Sequence, residues 1–184
     1  FAEAADRVNQ NLPSGTAAGL SGYVYTQWNN VATGSGAAAG LLDSDGNTTG
    51  ASVSWAASGV WGDATANADA TAGVGDAMMG RGYLDDGGDG PSITISGHGF
   101  AEYDVVVYYA TDNPGGDSYA ETTVDSVTAM TVGARPNYGS QPNWAANNAI
   151  VVEGLTAATL TISTDRNLGG GDRRASIAGV QLIE

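Results

Sequence analysis

The sequence predicts an all-β fold, a jelly-roll β-sandwich of about 8–10 short strands carrying an extended amino-terminal arm. Three observations lead there. Apolar and hydroxyl-bearing residues alternate with period two in several short runs. Clusters rich in Asp, Asn and Gly punctuate those runs at short intervals. Gly supplies 28 of the 184 residues and only 14% are charged, a composition of strands and turns and not of a helical bundle. A chain of this length fits one domain with a real core.

In chain order, residues 1–22 hold few large apolar side chains and contain Pro13, Gly15 and Gly19. They read as an extended arm, with at most one helical turn near residues 4–8, and residues 23–184 read as the sandwich domain. Val53 and Trp55 alternate with Ser52 and Ser54, Ile93 and Ile95 with Ser92, Thr94 and Ser96, and Leu160 and Ile162 with Thr159, Thr161 and Ser163. Each such run is a strand with one buried and one hydroxyl-rich face. Residues 63–79 are Ala-rich and irregular, with room for one short helix ending near Met78 and Met79. After Asp104, residues 105–110 are apolar at nearly every position, which predicts a central strand covered on both sides. Residues 117–124 and 127–132 form a hairpin, and residues 149–152 and 177–183 add further strands. Val53, Trp55, Ile93, Ile95, Val105, Val107, Leu160, Ile162 and Val180 are the expected core.

The 20 acidic residues outnumber the 6 basic ones, all Arg, for a formal charge of −14. Phosphate backbones and anionic lipid would repel such a chain, so nucleic acid is not an expected partner and neither is a membrane surface. No run is long enough for a transmembrane helix, and the residues from Phe1 onward do not read as a signal peptide. With no cysteine, disulfides, thiolate metal sites and Cys nucleophiles are excluded. A start at Phe1 fits either a trimmed chain or a mature one whose export signal has been removed.

A series of landmarks then suggests a family. Trp28-Asn29-Asn30 is followed by Leu41-Leu42-Asp43-Ser44-Asp45-Gly46-Asn47 and Gly50-Ala51-Ser52-Val53-Ser54-Trp55. Gly82-Tyr83-Leu84-Asp85, Tyr103-Asp104-Val105-Val106-Val107-Tyr108 and an ending that runs from Arg174-Ala175-Ser176-Ile177 to Ile183 complete it. From about Trp28 to Ile183 the chain resembles galactose-binding-like jelly-roll modules of bacterial secreted and cell-surface proteins. That resemblance implies secretion, an extracellular or cell-surface location, and a sugar-binding or attachment role. Such modules open with a hydrophobic strand, and here the chain begins at or after the end of that strand. The expectation is a sandwich edge left for something else to complete.

Signals for catalysis are thin, and no enzyme is expected. The single histidine, His98, lies in Ser96-Gly97-His98-Gly99, a turn in which it should be exposed, and there is no Gly-x-Ser-x-Gly elbow. No organic cofactor is implied, and structural calcium is the one ion the residues suggest, because Asp and Asn in flexible loops supply the oxygens it takes. Asp112, Asn113 and Asp117 form the candidate set, and Asp85, Asp86 and Asp89 another. Asp43-Ser44-Asp45-Gly46-Asn47 starts like an EF-hand loop but has Thr48 and Ser54 where that loop needs Gly and Glu, so it reads as a hairpin turn.

Sugar rings stack on Trp and Tyr while Asn, Asp and Arg bond their hydroxyls. Trp144 and Tyr138 are the candidate platform, with Arg135 and Asn143 as polar partners and Tyr119 and Trp61 as further loop aromatics. Two functional expectations follow. One is a non-catalytic secreted subunit whose copies form a linear homo-polymer, an extracellular filament or matrix, by strand or arm donation, with Phe1, Val8, Leu12 and Leu20 as the arm's apolar contacts. The other is a carbohydrate-binding module whose partner is an extracellular glycan.

Overall fold

Three runs with alternating apolar and hydroxyl residues pair side by side and so set one face of the fold. In the computed structural model, which describes residues 11–62, 75–80, 82–85, 90–110, 120–131, 144, 148–165 and 175–184, they are β2 (Ser52–Ala56), β5 (Ser92–Ser96) and β10 (Thr159–Asp165). Their antiparallel register aligns Val53 with Ile95 and Leu160 in one row, and Trp55 with Ile93, Ile162 and Val124 in the next. All seven are buried. The intervening Ser and Thr residues then lie on the opposite, solvent face, because side chains alternate along a strand.

β1 (Ser35–Ala39) extends this sheet at one edge, and β7 (Ala120–Val124) and β8 (Val127–Thr131) extend it at the other. The six strands run in the order β1-β2-β5-β10-β7-β8. A second antiparallel sheet, ordered β11-β6-β9, is built from β6 (Tyr103–Tyr108), β9 (Ala149–Leu155) and β11 (Gly179–Ile183). Val105, Val107, Ile150 and Val152 of this sheet meet Val53, Ile93, Leu160 and Ile162 of the first in one apolar core. The molecule is therefore an all-β sandwich, and every expected core residue lies in this cluster or, for Val180, packs against it. Each fully buried Val, Leu or Ile contributes about 1.5–3 kcal/mol, so these rows dominate the stabilisation.

The other face of the small sheet is also covered, which explains why β6 is apolar from Val105 onward. Val106 and Tyr108 point away from the first core into a second one containing Leu12, Ala18, Met78, Met79 and Trp144. Met78 and Met79 come from α1 (Gly75–Met79), the short helix expected there. An antiparallel pair of β3 (Gly59–Gly62) and β4 (Gly82–Asp85) completes the described elements, with Leu84 bridging to Ile177.

The arm departs from expectation. Residues 11–22 contain few large side chains, yet they are docked on the small sheet as part of its outer layer. Leu12 is 5% exposed, and Leu20 packs against the same cluster. The anchors are backbone groups. Leu12 donates its N–H to Asn30 Oδ1 and accepts Asn30 Nδ2–H at its carbonyl, both at 2.9 Å. Ala18 and Tyr25 exchange two backbone bonds at 3.0 Å. Gly19 N–H reaches Asp76 Oδ1 at 2.7 Å, and Leu20 N–H reaches Tyr108 Oη at 3.0 Å. A scarcity of apolar residues does not predict a free segment when the main chain supplies the contacts. Phe1 and Val8 lie outside the described residues.

Candidate functional site

A groove of about 550 Å³ opens beside the edge of the small sheet. Residues 179–183, every residue of β11, line it, so the groove follows the strand's edge as well as a face. Leu41, Ala51 and Val53 also line it, as do Tyr25, Trp28 and Val31. On its inner side β11 pairs with β6 over its whole length. On its outer side the chain makes one bridge, Ile177 with Leu84, just before β11 begins. From Gly179 to Ile183 that outer edge has no backbone partner among the described residues.

The polar side chains on the lining are largely committed elsewhere. Asn29 holds both the N–H and the carbonyl of Leu42 at 2.8 Å, as Asn30 does for Leu12. Thr49 Oγ1 donates to the Leu41 carbonyl at 2.7 Å. Gln181 is buried, accepts the Tyr108 hydroxyl and donates to the Tyr23 carbonyl at 3.1 Å. Burial pushes the Tyr108 hydroxyl well above the ordinary tyrosine range, so it remains a proton donor. The Asp43 carboxylate accepts the N–H groups of Asp45 and Asn47 at 3.0 and 2.8 Å, and the latter bond leads in lowering its pKa. This is the hairpin turn the sequence predicts, closed by the Leu42–Thr48 bridge.

His98 sits at the groove's margin, half-buried and not exposed as a turn histidine would be. Its ring lies 4.6 Å from that of Tyr103 and 5.5 Å from that of Phe100. Phe100 N–H donates to Nδ1 at 3.3 Å, so Nε2 carries the proton that points at the Ala157 carbonyl, 3.2 Å away. Both ring nitrogens are thus occupied in holding a turn. What the groove leaves available is apolar surface and a strand edge, which together suit an extended polypeptide.

The proposed sugar platform is differently placed. Trp144 is 8% exposed and packs edge-on against Tyr108, with ring centres 4.9 Å apart, so its faces belong to the second core. Its indole N–H lacks a hydrogen-bond partner but lies near enough to Asp76 to favour that carboxylate's charged form. Burial is the larger effect on Asp76 and raises its pKa, opposed by the bond from Gly19 and by Trp144. Trp61 lies in β3, opposite Tyr83, and not in a loop. Tyr119, Arg135, Tyr138 and Asn143 lie outside the described residues, as do Asp86, Asp89 and the calcium candidates Asp112, Asn113 and Asp117. Among the described residues no group of three or more His, Asp or Glu side chains could hold a metal ion. The groove's place beside β11 is not legible in the sequence, because which strand stands at an edge is set by the strand order. No protein-family model and no curated protein matches the chain.

Proposed function

We propose that this protein is a non-catalytic, secreted structural subunit that polymerises outside the cell by laying an extended segment of one copy along β11 of the next. The observation that carries this reading is the outer edge of β11, open among the described residues, beside an apolar groove whose polar side chains are largely engaged elsewhere. Water satisfies that edge in a single copy. A strand from a neighbour replaces water with backbone hydrogen bonds, each contributing about 0.5–1.5 kcal/mol net, and adds apolar burial from the groove.

The donor is the segment ahead of Asn11. Residues 11–22 are held at home, so the reach falls to the ten residues before them, and ten fully extended residues span at most about 33–36 Å. That exceeds the length of the five-residue β11. Phe1 and Val8 are the large apolar side chains they offer the groove. The contact joins unlike surfaces, head to tail, and therefore builds an open filament unless its rotation happens to close.

Electron microscopy and sedimentation of the full chain, compared with a chain that starts at Asn11, test the proposal. Linear polymers are expected from the first and folded non-polymerising protein from the second. A full-length chain that stays monomeric at high concentration refutes it, and one that also binds a polysaccharide would favour the carbohydrate-binding alternative.

A further inference from the structure

The other sheet also ends in an edge, β1, with no backbone partner on its outer side among the described residues, and it is built differently. Ala57 N–H donates to the Gly34 carbonyl at 2.7 Å, which fixes the in-plane alternation of β1. Continuing the register of Gly36 with Trp55 and Ala38 with Val53, the even-numbered residues bond to β2. Ser35, Ala37 and Ala39 then aim their backbone N–H and C=O groups away from the sheet. Thr33 agrees with this, since its hydroxyl reaches the outward Ser35 carbonyl at 2.7 Å.

Edge strands usually carry a charge, a proline or a bulge that discourages pairing. Ser35–Ala39 carries none of these, and its register with β2 is uninterrupted. Its neighbours across β2, Ser52, Ser54 and Ala56, are equally small and uncharged. In a chain of formal charge −14, most surfaces of two copies repel each other. This edge is a place where two copies can meet without opposing like charges.

We infer that β1 is a self-complementary interface, on which a second copy of this chain pairs its own β1 antiparallel about a twofold axis centred at Ala37. Ala37 exchanges two backbone bonds with its symmetry mate, and Ser35 and Ala39 exchange bonds with Ala39 and Ser35 of the other copy. The second lone pair of the Ser35 carbonyl serves this bond while the first stays with Thr33. Within Ser35–Ala39 no side chain is larger than Ser, the neighbouring Thr33 reaches this edge through its hydroxyl, and pairing makes the two six-stranded sheets one. This interface is isologous and makes pairs, in contrast to the head-to-tail contact at β11, and it stands independently of that contact.

Charged substitutions at the axis test it in the full chain. Ala37→Glu places two carboxylates opposite each other and Ala37→Lys two ammonium groups, whereas a mixture of the two variants places opposite charges together. Ala37 is exposed, so both variants should fold, which near-ultraviolet circular dichroism checks. The mixture, carrying one fluorophore on each variant, should associate about tenfold more tightly than either variant alone. A second measurement uses the absence of native cysteine: Ala37→Cys should form covalent dimers with a short bis-maleimide far faster than Val127→Cys, an exposed position on the opposite edge strand. Equal association of mixed and unmixed variants, or equal cross-linking at the two positions, overturns the inference.

Discussion

Leu12→Ala tests whether residues 11–22 belong to the fold or merely rest on it. Leu12 is 5% exposed and shares a cluster with Met78, Met79, Tyr108 and Trp144. Truncating a buried Leu removes its transfer free energy and leaves a cavity, together about 2–5 kcal/mol. The site lies in an outer layer that can relax inward, so the lower half of that range, about 2–3 kcal/mol, is expected. For a chain of this size that lowers Tm by roughly 4–12 °C. The Asn30 bonds to the Leu12 main chain survive the substitution, so the loss reports on packing alone. Urea unfolding followed by tryptophan fluorescence measures it, at two protein concentrations to separate folding from assembly. A change below about 0.5 kcal/mol, the size of an ordinary surface substitution, would refute the reasoning.

Asp76→Asn should stabilise the protein at neutral pH. Burial raises the folded-state pKa of Asp76 above its unfolded value, so the folded chain holds the proton more tightly and the group's contribution to stability falls as pH rises through that interval. The gain from Asn should therefore shrink toward pH 4 and below, and a gain independent of pH in urea titrations would contradict this account. Gly36→Ala should cost about 1–3 kcal/mol, because a Cβ there would lie 2.7 Å from Trp55 Cζ2 and the indole must shift. Unchanged stability and unchanged tryptophan emission would show that the ring is not held as described.

Much of the sandwich is legible in the sequence because period two is a direct imprint of a half-buried strand. Val53 with Trp55, Ile93 with Ile95 and Leu160 with Ile162 each announce a strand and its buried face, and they meet in the register that burial requires. The unbroken apolar run of β6 likewise announces two covered faces, without saying what covers the second. That cover is the segment expected to be free. Its attachment depends on Asn30, Asp76 and Tyr108, residues 18 to 88 positions away, bonding main-chain groups that look the same in every sequence.

The candidate site was less legible for a related reason. Trp144 has the composition of a binding aromatic, and its local sequence, rich in Gly, Pro and Asn, resembles an exposed loop. Only the three-dimensional arrangement seats its ring against Tyr108. His98 sits in its glycine-flanked turn as expected, but the nearby rings of Phe100 and Tyr103 and the distant Ala157 carbonyl enclose it. The open edge that β11 presents among the described residues follows from strand order, which no single run of residues announces.

Amide hydrogen exchange at β11 tests the central claim most directly. In dilute, unassembled protein the outward-facing amides of residues 179–183 should exchange rapidly while those bonded to β6 stay protected. In assembled material the outward amides should become protected as well, and removing the residues ahead of Asn11 should abolish that gain. Polymers in which these amides exchange as fast as in the single subunit would contradict the account, because the contact that builds them would then lie elsewhere.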